Sequence, residues 1–136
     1  MTDHDLIRMA NGRRFVRFVT RAGVIGLVLI AALLLGSGWL IGSGVHAAGE
    51  AALLEQPGDR VLALMAYVES PTRTLRERNR AVWALGQLGD ARALPVLERH
   101  FTGRDCDHDR VLCQDELRKA IRLCRGGTNM TAFVWR

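Results

Sequence analysis

The sequence predicts an all-α protein in which a single transmembrane helix precedes a short stack of about four helices. Three observations lead to this fold class. Residues 22–45 contain no charged side chain, and after residue 58 apolar residues recur with the 3.6-residue period of a helix. No stretch alternates polar and apolar residues for long enough to indicate a strand. At 136 residues, the chain is also too short for a large two-domain enzyme. Its net charge is +5.

The uncharged run at residues 22–45 is predicted to be the transmembrane helix. It holds about 24 residues, and a helix of that length rises roughly 36 Å, enough to cross a hydrocarbon core of about 30 Å. The leader, residues 1–21, carries five arginines and two aspartates, a net charge of +3. Because insertion retains positive charge in the cytoplasm, we expect a cytoplasmic N-terminus and a C-terminal domain outside.

A cleaved signal peptide is the alternative to a retained anchor. Val45-His46-Ala47 resembles a signal peptidase site, and cleavage would follow Ala47. The apolar run is about twice as long as a typical signal core, so we expect the helix to be retained. The chain has 18 arginines and one lysine, which is typical of a GC-rich genome. We therefore expect a single-pass protein of a bacterial cytoplasmic membrane with a periplasmic domain.

Small residues in the second half of this helix are candidates for close helix packing. Ala32 and Gly36, and likewise Gly38 and Gly42, are spaced four apart. Each pair lies on one helix face, where another backbone can approach closely. The general frequency of glycine in membrane helices is the other explanation of this pattern.

Four helices are predicted in a domain at residues 58–125, after a linker at residues 46–57. They occupy about residues 59–70, 73–88, 91–101 and 109–124, and the second ends at Gly89 as a left-handed cap. Asp59 and Asp90 are the expected starts of the first and third helices. The predicted buried side chains are Val61, Leu64, Met65, Val68, Ala81, Ala84, Leu85, Leu88, Leu94, Leu97, Phe101, Cys113, Leu117, Ala120, Ile121 and Cys124.

Residues 79–97 resemble a HEAT-like repeat of the phycobilisome-lyase type, with the pattern A-x-x-A-L-G-x-L-G-D-x-x-A-L-x-x-L. The pattern is matched at Ala81, Ala84, Leu85, Gly86, Leu88, Gly89, Asp90, Ala93, Leu94 and Leu97. A degenerate second copy begins about 36 residues later and stops after one helix, because Arg122 replaces the glycine and the Gly-Asp turn is missing. The resemblance implies a fragment of an α-solenoid that serves as a protein-interaction scaffold.

The three cysteines are expected outside the cytoplasm, where disulfides persist. Cys113 and Cys124 are separated by about 16 Å of helix, too far for a bond. The spacing favours a Cys106–Cys113 disulfide, with Cys106–Cys124 as the alternative. Metal binding by Cys106, His108 and Cys113, with His100 or Cys124 as a further ligand, is a third possibility, although their spacing matches no standard zinc site. The tail, residues 126–136, is expected to cap the open end of the helical stack or to dock on a partner.

The expected function is that of a non-enzymatic adaptor, accessory or assembly subunit of a larger membrane complex. The sequence contains no phosphate-binding loop, nucleophile elbow or paired acid–base motif, so we expect no catalytic residue, cofactor, metal or small-molecule substrate. The expected location argues against nucleic acid binding despite the basic charge. A thiol-active or metal-binding periplasmic protein is the alternative, and by resemblance a chromophore-lyase relative is another.

Overall fold

The computed structural model describes residues 3–107, 110–130 and 132–135, with side chains from residue 18 onward, Phe133 excepted. Six α-helices make up this part of the chain: α1 (Asp3–Glu55), α2 (Arg60–Glu69), α3 (Leu75–Leu88), α4 (Leu94–His100), α5 (Gln114–Cys124) and α6 (Ala132–Trp135). A 3₁₀ turn, Ala91–Ala93, leads into α4. The described residues contain no strand, and the predicted all-α fold class is confirmed.

The chain forms two compact units, divided between Ser37 and Gly38. The first unit is helical throughout its described part, and its apolar side chains from Phe18 to Leu35 are exposed. In the part of the chain that the structure describes, residues 18–55 are the one segment long and apolar enough to cross a membrane. Its best 18-residue window has a mean hydropathy of 2.5 and is only 6% buried. Length and composition thus fit a membrane span, and a signal sequence would meet the same criterion.

The predicted linker differs from the structure. Residues 46–55 continue α1, and the helix gives way to a turn at residues 56–59, where Gly58 has a φ of 133°. Val45, Ala48 and Ala52 form one apolar face at helical spacing, and all three are buried in the core of the second unit. Burial of that face explains why a segment rich in alanine and glycine is helical here rather than extended.

Side-chain caps begin α2 and α3. The Asp59 carboxylate accepts hydrogen bonds from the amides of Val61 and Leu62, at 2.8 and 3.0 Å, and the expected start of the first domain helix is confirmed. Thr74 and Glu77 form a capping box at the start of α3. The sequence prediction began that helix at residue 73 and did not identify the box.

Arg92 links the Asp59 carboxylate, at the start of α2, to Asp90, which precedes the 3₁₀ turn before α4. The Arg92 guanidinium lies 3.0 Å from Asp59 and 2.7 Å from Asp90. Hydrogen bonds from the Leu62 amide and then from Arg92 hold the pKa of Asp59 below its ordinary value. Hydrogen bonds from Arg92 likewise lower the pKa of Asp90. The two aspartates therefore remain charged, and through Arg92 they hold the start of α2 next to the turn that leads into α4.

The core of the second unit lies between α2, α3, α4 and α5. Leu64, Leu85, Leu97 and Leu117, one from each of these helices, are fully buried. The predicted buried faces are confirmed, except that four of their members are only partly buried: Met65, Leu88, Leu94 and Phe101. The fourth helix begins later than predicted: residue 109 lies outside the described residues, residues 110–113 are not helical, and α5 begins at Gln114 with Cys113 as its N-cap.

Candidate interaction surfaces

The motif residues of the repeat build the α3–α4 pair rather than a binding site. Gly89 ends α3 with a φ of 62°, and its amide donates to the Leu85 carbonyl, which confirms the predicted left-handed cap. The Asp90 carboxylate accepts a 2.9 Å hydrogen bond from the Arg92 amide and caps the 3₁₀ turn. The alanines and leucines of the motif fill the core: Ala81, Ala84, Leu85, Ala93 and Leu97 are buried, and Leu88 and Leu94 are partly buried. Interaction surfaces must therefore lie on other residues.

Gly86 sets the contact between α3 and α5. A Cβ atom built on Gly86 would lie 2.7 Å from Ala120 Cα and 2.9 Å from Ala120 Cβ. The two helices therefore touch backbone to backbone, which only glycine permits at this position. Ala120, Ile121 and Cys124 of α5 are buried, and the Cys124 thiol lies 3.6 Å from the Leu85 carbonyl. The first helix of the degenerate second repeat thus packs directly on the first repeat.

The chain turns away after α5 instead of forming the second helix of that repeat. Gly126 has a φ of 92°, and the Gly127 amide donates to the Arg122 carbonyl at 3.0 Å. Asn129 then donates to the backbone and side-chain oxygens of Gln87, at 3.2 and 2.9 Å. The tail is therefore directed toward α3, and the side of α5 next to α4 receives no further helix from the described residues.

A groove of about 500 Å³ lies along this side of α5, and we call it the α4–α5 groove. Its floor is apolar and its rim is mainly basic. The Arg118 guanidinium stands over the Phe101 ring, 6.0 Å from its centroid, and Arg125 pairs with Glu98 at 2.7 Å. The groove is lined by Glu98, Phe101, Arg118, Ile121, Arg122, Arg125, Gly126 and Gly127.

Gln114 and Asn79 hold the loop between α4 and α5, and the sequence prediction identified neither. Gln114 is 2% exposed; its carbonyl accepts from the Thr102 amide at 2.8 Å, and its amide donates to the Leu112 carbonyl at 3.0 Å. The Asn79 side-chain carbonyl accepts a 2.8 Å hydrogen bond from the Cys113 amide and so holds the residue before α5 against α3. The one sequence signal for the role of Gln114 was its position, as a polar residue just before the apolar face of a helix.

The structure brings the predicted cysteine pair together. The Cys106 and Cys113 sulfurs lie 3.1 Å apart as free thiols, and the Asp115 amide donates to Cys106 Sγ at 3.3 Å. The Asp115 amide lowers the pKa of Cys106, but the Cys113 thiol and burial outweigh it and raise the pKa overall. Cys124 lies instead against the Leu85 carbonyl. The disulfide itself stays a prediction.

Metal binding by this region has no support in the described residues. They contain no group of three or more histidine, cysteine, aspartate or glutamate side chains placed to hold a metal ion. His108, the histidine considered with Cys106 and Cys113, lies outside the described residues.

Oxidation of the purified protein with oxidised glutathione is expected to form the Cys106–Cys113 disulfide. The two thiols lose two protons and two electrons, and glutathione is reduced, so intact mass falls by about 2 Da. The bond closes a loop of about eight residues and should stabilise the domain by roughly 2 kcal/mol in urea unfolding. Cys124→Ala is the matched control and should keep the mass change.

Cys106→Ala and Cys113→Ala are expected to abolish this oxidation. Alanine is preferred to serine at position 113, because Cys113 is the N-cap of α5 and serine would strengthen that cap by about 1 kcal/mol. Peptide mapping that finds Cys124 in the bridge, or three free thiols after oxidation, would contradict the predicted pairing.

The tail packs against α1. A Cβ atom on Gly38 would lie 2.5 Å from Val134 Cβ, and one on Gly42 would lie 2.5 Å from Trp135 Cβ. Two of the four residues predicted for transmembrane packing are thus covered by the protein's own C-terminal segment. Ala32 and Gly36 are exposed, so packing of a partner helix on them stays a prediction. Gly126 and Gly127, the first two residues of the tail, line the α4–α5 groove, and the later tail residues that the structure describes do not line it. Thr131, Arg136 and the side chain of Phe133 are outside the described part.

Comparison with known proteins supports the repeat. Residues 77–102 match the family model described as PBS lyase HEAT-like repeat, which is about a fifth of the chain. No curated protein and no solved structure is significantly similar to the chain. The protein therefore contains a HEAT-like helical repeat, and repeats of this kind form stacks whose surfaces suit protein interaction.

Proposed function

We propose that the protein is a membrane-anchored interaction module, an adaptor, accessory or assembly subunit of a membrane complex that carries its HEAT-like domain outside the cytoplasm. The observation that supports this most is the unpaired α5. In a solenoid each helix pair covers its neighbour, and a terminal helix without its pair leaves a groove to be covered. Here no further helix among the described residues covers the α4–α5 groove, and Val134 and Trp135, near the end of the tail, pack on α1.

The charge of the groove favours an acidic, amphipathic helix as the occupant. At the rim, Arg118 pairs with Asp115 and Arg125 pairs with Glu98. Arg122 makes no ion pair within the described residues. Half-buried Phe101 offers an apolar contact between these charges. A partner helix with one apolar stripe and acidic flanks would complete the second repeat and neutralise the rim.

Two features of α1 support the anchor. The exposed apolar side chains from Phe18 to Leu40 cover about 23 residues, roughly 34 Å of helix, which matches the thickness of a hydrocarbon core. The net charge of +3 in the leader favours a cytoplasmic N-terminus. The proposal requires no catalytic residue, cofactor or small-molecule substrate.

Reversal of the groove charge is expected to disconnect the partner. The variant Arg122→Glu with Arg125→Glu should weaken capture of the partner by tenfold or more, on the order of the cost of like charges at an interface. The measurement is photo-crosslinking in cells from a photoreactive residue at position 101, followed by purification in mild detergent. The matched control is Arg76→Glu with Arg80→Glu, two exposed arginines of α3.

The two variants give distinct outcomes. A crosslinked band that the groove variant loses and the α3 variant keeps would support the groove. A band that both variants keep would overturn the groove as the binding surface. A wild-type protein that emerges alone and monomeric, without any crosslink, would overturn the adaptor role itself.

A thiol-active protein is the second candidate, and the 3.1 Å separation of the Cys106 and Cys113 sulfurs favours it. Cys124 is a poor reactive centre because it is buried against the Leu85 carbonyl. Disulfide exchange with a substrate protein would proceed through Cys106, which is partly exposed, whereas Cys113 is buried. Alkylation of the native reduced protein that leaves Cys106 unlabelled would count against this role.

A further inference from the structure

A cavity of about 470 Å³ lies between the start of α3, the end of α4 and the loop that follows α4. Sites for small ligands in proteins usually have volumes of about 300–1,000 Å³, so this cavity is large enough to hold one. It shares no lining residue with the α4–α5 groove. It is therefore a second candidate binding site, separate from the surface proposed for a partner protein.

The wall of this cavity carries an excess of positive charge. Two of its arginines are paired within the described residues, Arg99 with Glu69 and Arg110 with Asp107 at 3.9 Å. Two more, Arg78 and Arg104, form no ion pair there, and Asp105 is the one lining carboxylate that is also unpaired. The charged lining residues are Arg78, Arg99, Arg104, Asp105, Asp107 and Arg110.

Arg78 is fixed on this wall by the end of α2. It is half-buried, and its Nε donates a 2.6 Å hydrogen bond to the Val68 carbonyl. That partner is neutral, so it orients the guanidinium without compensating its charge. A guanidinium that is partly removed from water and has no carboxylate partner favours the approach of an anion.

His100 adds a polar ring to the same wall. Its Nε2 atom is buried and hydrogen-bonded to no described residue, although buried polar atoms in native proteins almost always have a partner. Burial and then the charge of Arg78 lower the pKa of His100 below its ordinary value, so the ring is neutral at pH 7. The arginines therefore supply the positive charge, and His100 adds a hydrogen-bonding group beside them.

We infer that this cavity binds a phosphate monoester with an apolar organic part. Arg78 and Arg104 would hold the phosphate, and Leu75 and Val111, which also line the cavity, would contact the organic part. Each guanidinium presents a fork of two donors, and a phosphate has enough oxygens for two forks, whereas the two oxygens of a carboxylate are matched by one. The same chemistry is found in soluble phosphate esters and in the headgroup of phosphatidic acid. The inference does not depend on the proposed partner groove.

The test titrates the full chain, in a neutral maltoside detergent, with phenyl phosphate, inorganic phosphate and benzoate. Binding is followed by isothermal titration calorimetry and by the NMR signal of the His100 ring in protein labelled with ¹³C-histidine. We expect phenyl phosphate to bind about tenfold more tightly than inorganic phosphate, because its ring adds apolar contact. It should also bind about tenfold more tightly than benzoate, which matches only one guanidinium.

A fourth probe, dihexanoyl phosphatidic acid below its critical micelle concentration, distinguishes the two sources of the phosphate. Tighter binding of this lipid than of phenyl phosphate would support the site and identify the ligand as a lipid. The reverse order would support the site and identify the ligand as a soluble ester.

Arg104→Gln is the principal variant, because Arg104 is exposed and forms no ion pair within the described residues. It should weaken the binding of phenyl phosphate by roughly tenfold. Arg78→Gln should have the same effect, with circular dichroism as a check on folding, since Arg78 also bonds to the Val68 carbonyl. The matched controls are Arg76→Gln, an exposed residue of α3 that does not line the cavity, and Arg122→Gln in the α4–α5 groove. Both should bind as the wild type does.

The outcomes separate the site from its alternatives. Weaker binding in Arg104→Gln, with wild-type binding in both controls, would support the inference. Weaker binding in Arg122→Gln but not in Arg104→Gln would assign the anion to the α4–α5 groove and overturn it. Equal affinity for benzoate and phenyl phosphate would overturn the choice of a phosphate, and equal affinity for inorganic phosphate would overturn the apolar part. If neither ester binds, the site itself is wrong, and the photo-crosslinking test of the partner groove is unaffected.

Discussion

Gly86→Val is expected to abolish cooperative folding of the helical domain. We expect no other single substitution proposed for this protein to destabilise it as much. The Cβ of any other residue would lie 2.7 Å from Ala120 Cα, a backbone atom that cannot rotate away. The α3 and α5 helices would have to separate, which would open the core around Leu85 and Leu117. A domain of this size has only a few kcal/mol of stability to lose.

Gly86→Ala gives the graded form of the same prediction. Overpacking costs about 1–3 kcal/mol, and the better helix propensity of alanine returns roughly 0.5–1 kcal/mol. We therefore expect a net loss in the free energy of unfolding, measured by urea titration of circular dichroism in detergent. Gly36→Ala is the matched control, because its Cβ would meet open space. Equal stability of Gly86→Ala and wild type would show that the two helices do not touch here.

Gln114→Met is expected to destabilise the domain by about 2 kcal/mol and to loosen the loop before α5. Methionine keeps the length of the side chain but removes its amide, so the Thr102 N–H and the Leu112 carbonyl lose their partner. Each buried polar group left without a hydrogen bond costs roughly 1–3 kcal/mol. Trypsin should then cleave faster after exposed Arg104, and hydrogen exchange in residues 102–107 should accelerate.

The control for this prediction is Gln56→Met, a substitution of an exposed glutamine in the turn after α1. It should change stability by less than about 0.5 kcal/mol, as exposed substitutions usually do. If Gln114→Met cleaves at the wild-type rate, the loop is held by other contacts, and the central role of Gln114 is wrong.

Local signals predicted α3 and the turn after it closely. The repeat pattern at residues 79–97, the cap at Gly89 and the cap at Asp90 depend on neighbours within one or two helical turns, so sequence alone identified them. The same holds for the start of α2 at Asp59. The capping box of Thr74 and Glu77 was equally local and was overlooked.

The errors and omissions of the sequence prediction share a different cause. Residues 46–55 are helical because Ala48 and Ala52 are buried against residues distant in the chain, which composition does not reveal. Asn79 accepts a hydrogen bond from the Cys113 amide, about 34 residues later in the chain. Gln114 joins a loop and a helix whose approach depends on the whole α4–α5 packing. Such contacts are set by the tertiary structure, and no local sequence pattern predicts them.

The sequence by itself determined the all-α class, the apolar helix and the HEAT-like pair, since each depends on periodicity, composition or short spacing. It also favoured Cys113 over Cys124 as the partner of Cys106. Only the tertiary structure decided where the tail lies and which surface stays open. Val134 and Trp135 lie on Gly38 and Gly42, almost a hundred residues earlier, because only glycines admit so close an approach. In the described part of the chain no further helix covers the α4–α5 groove, which is the surface that we propose for a partner.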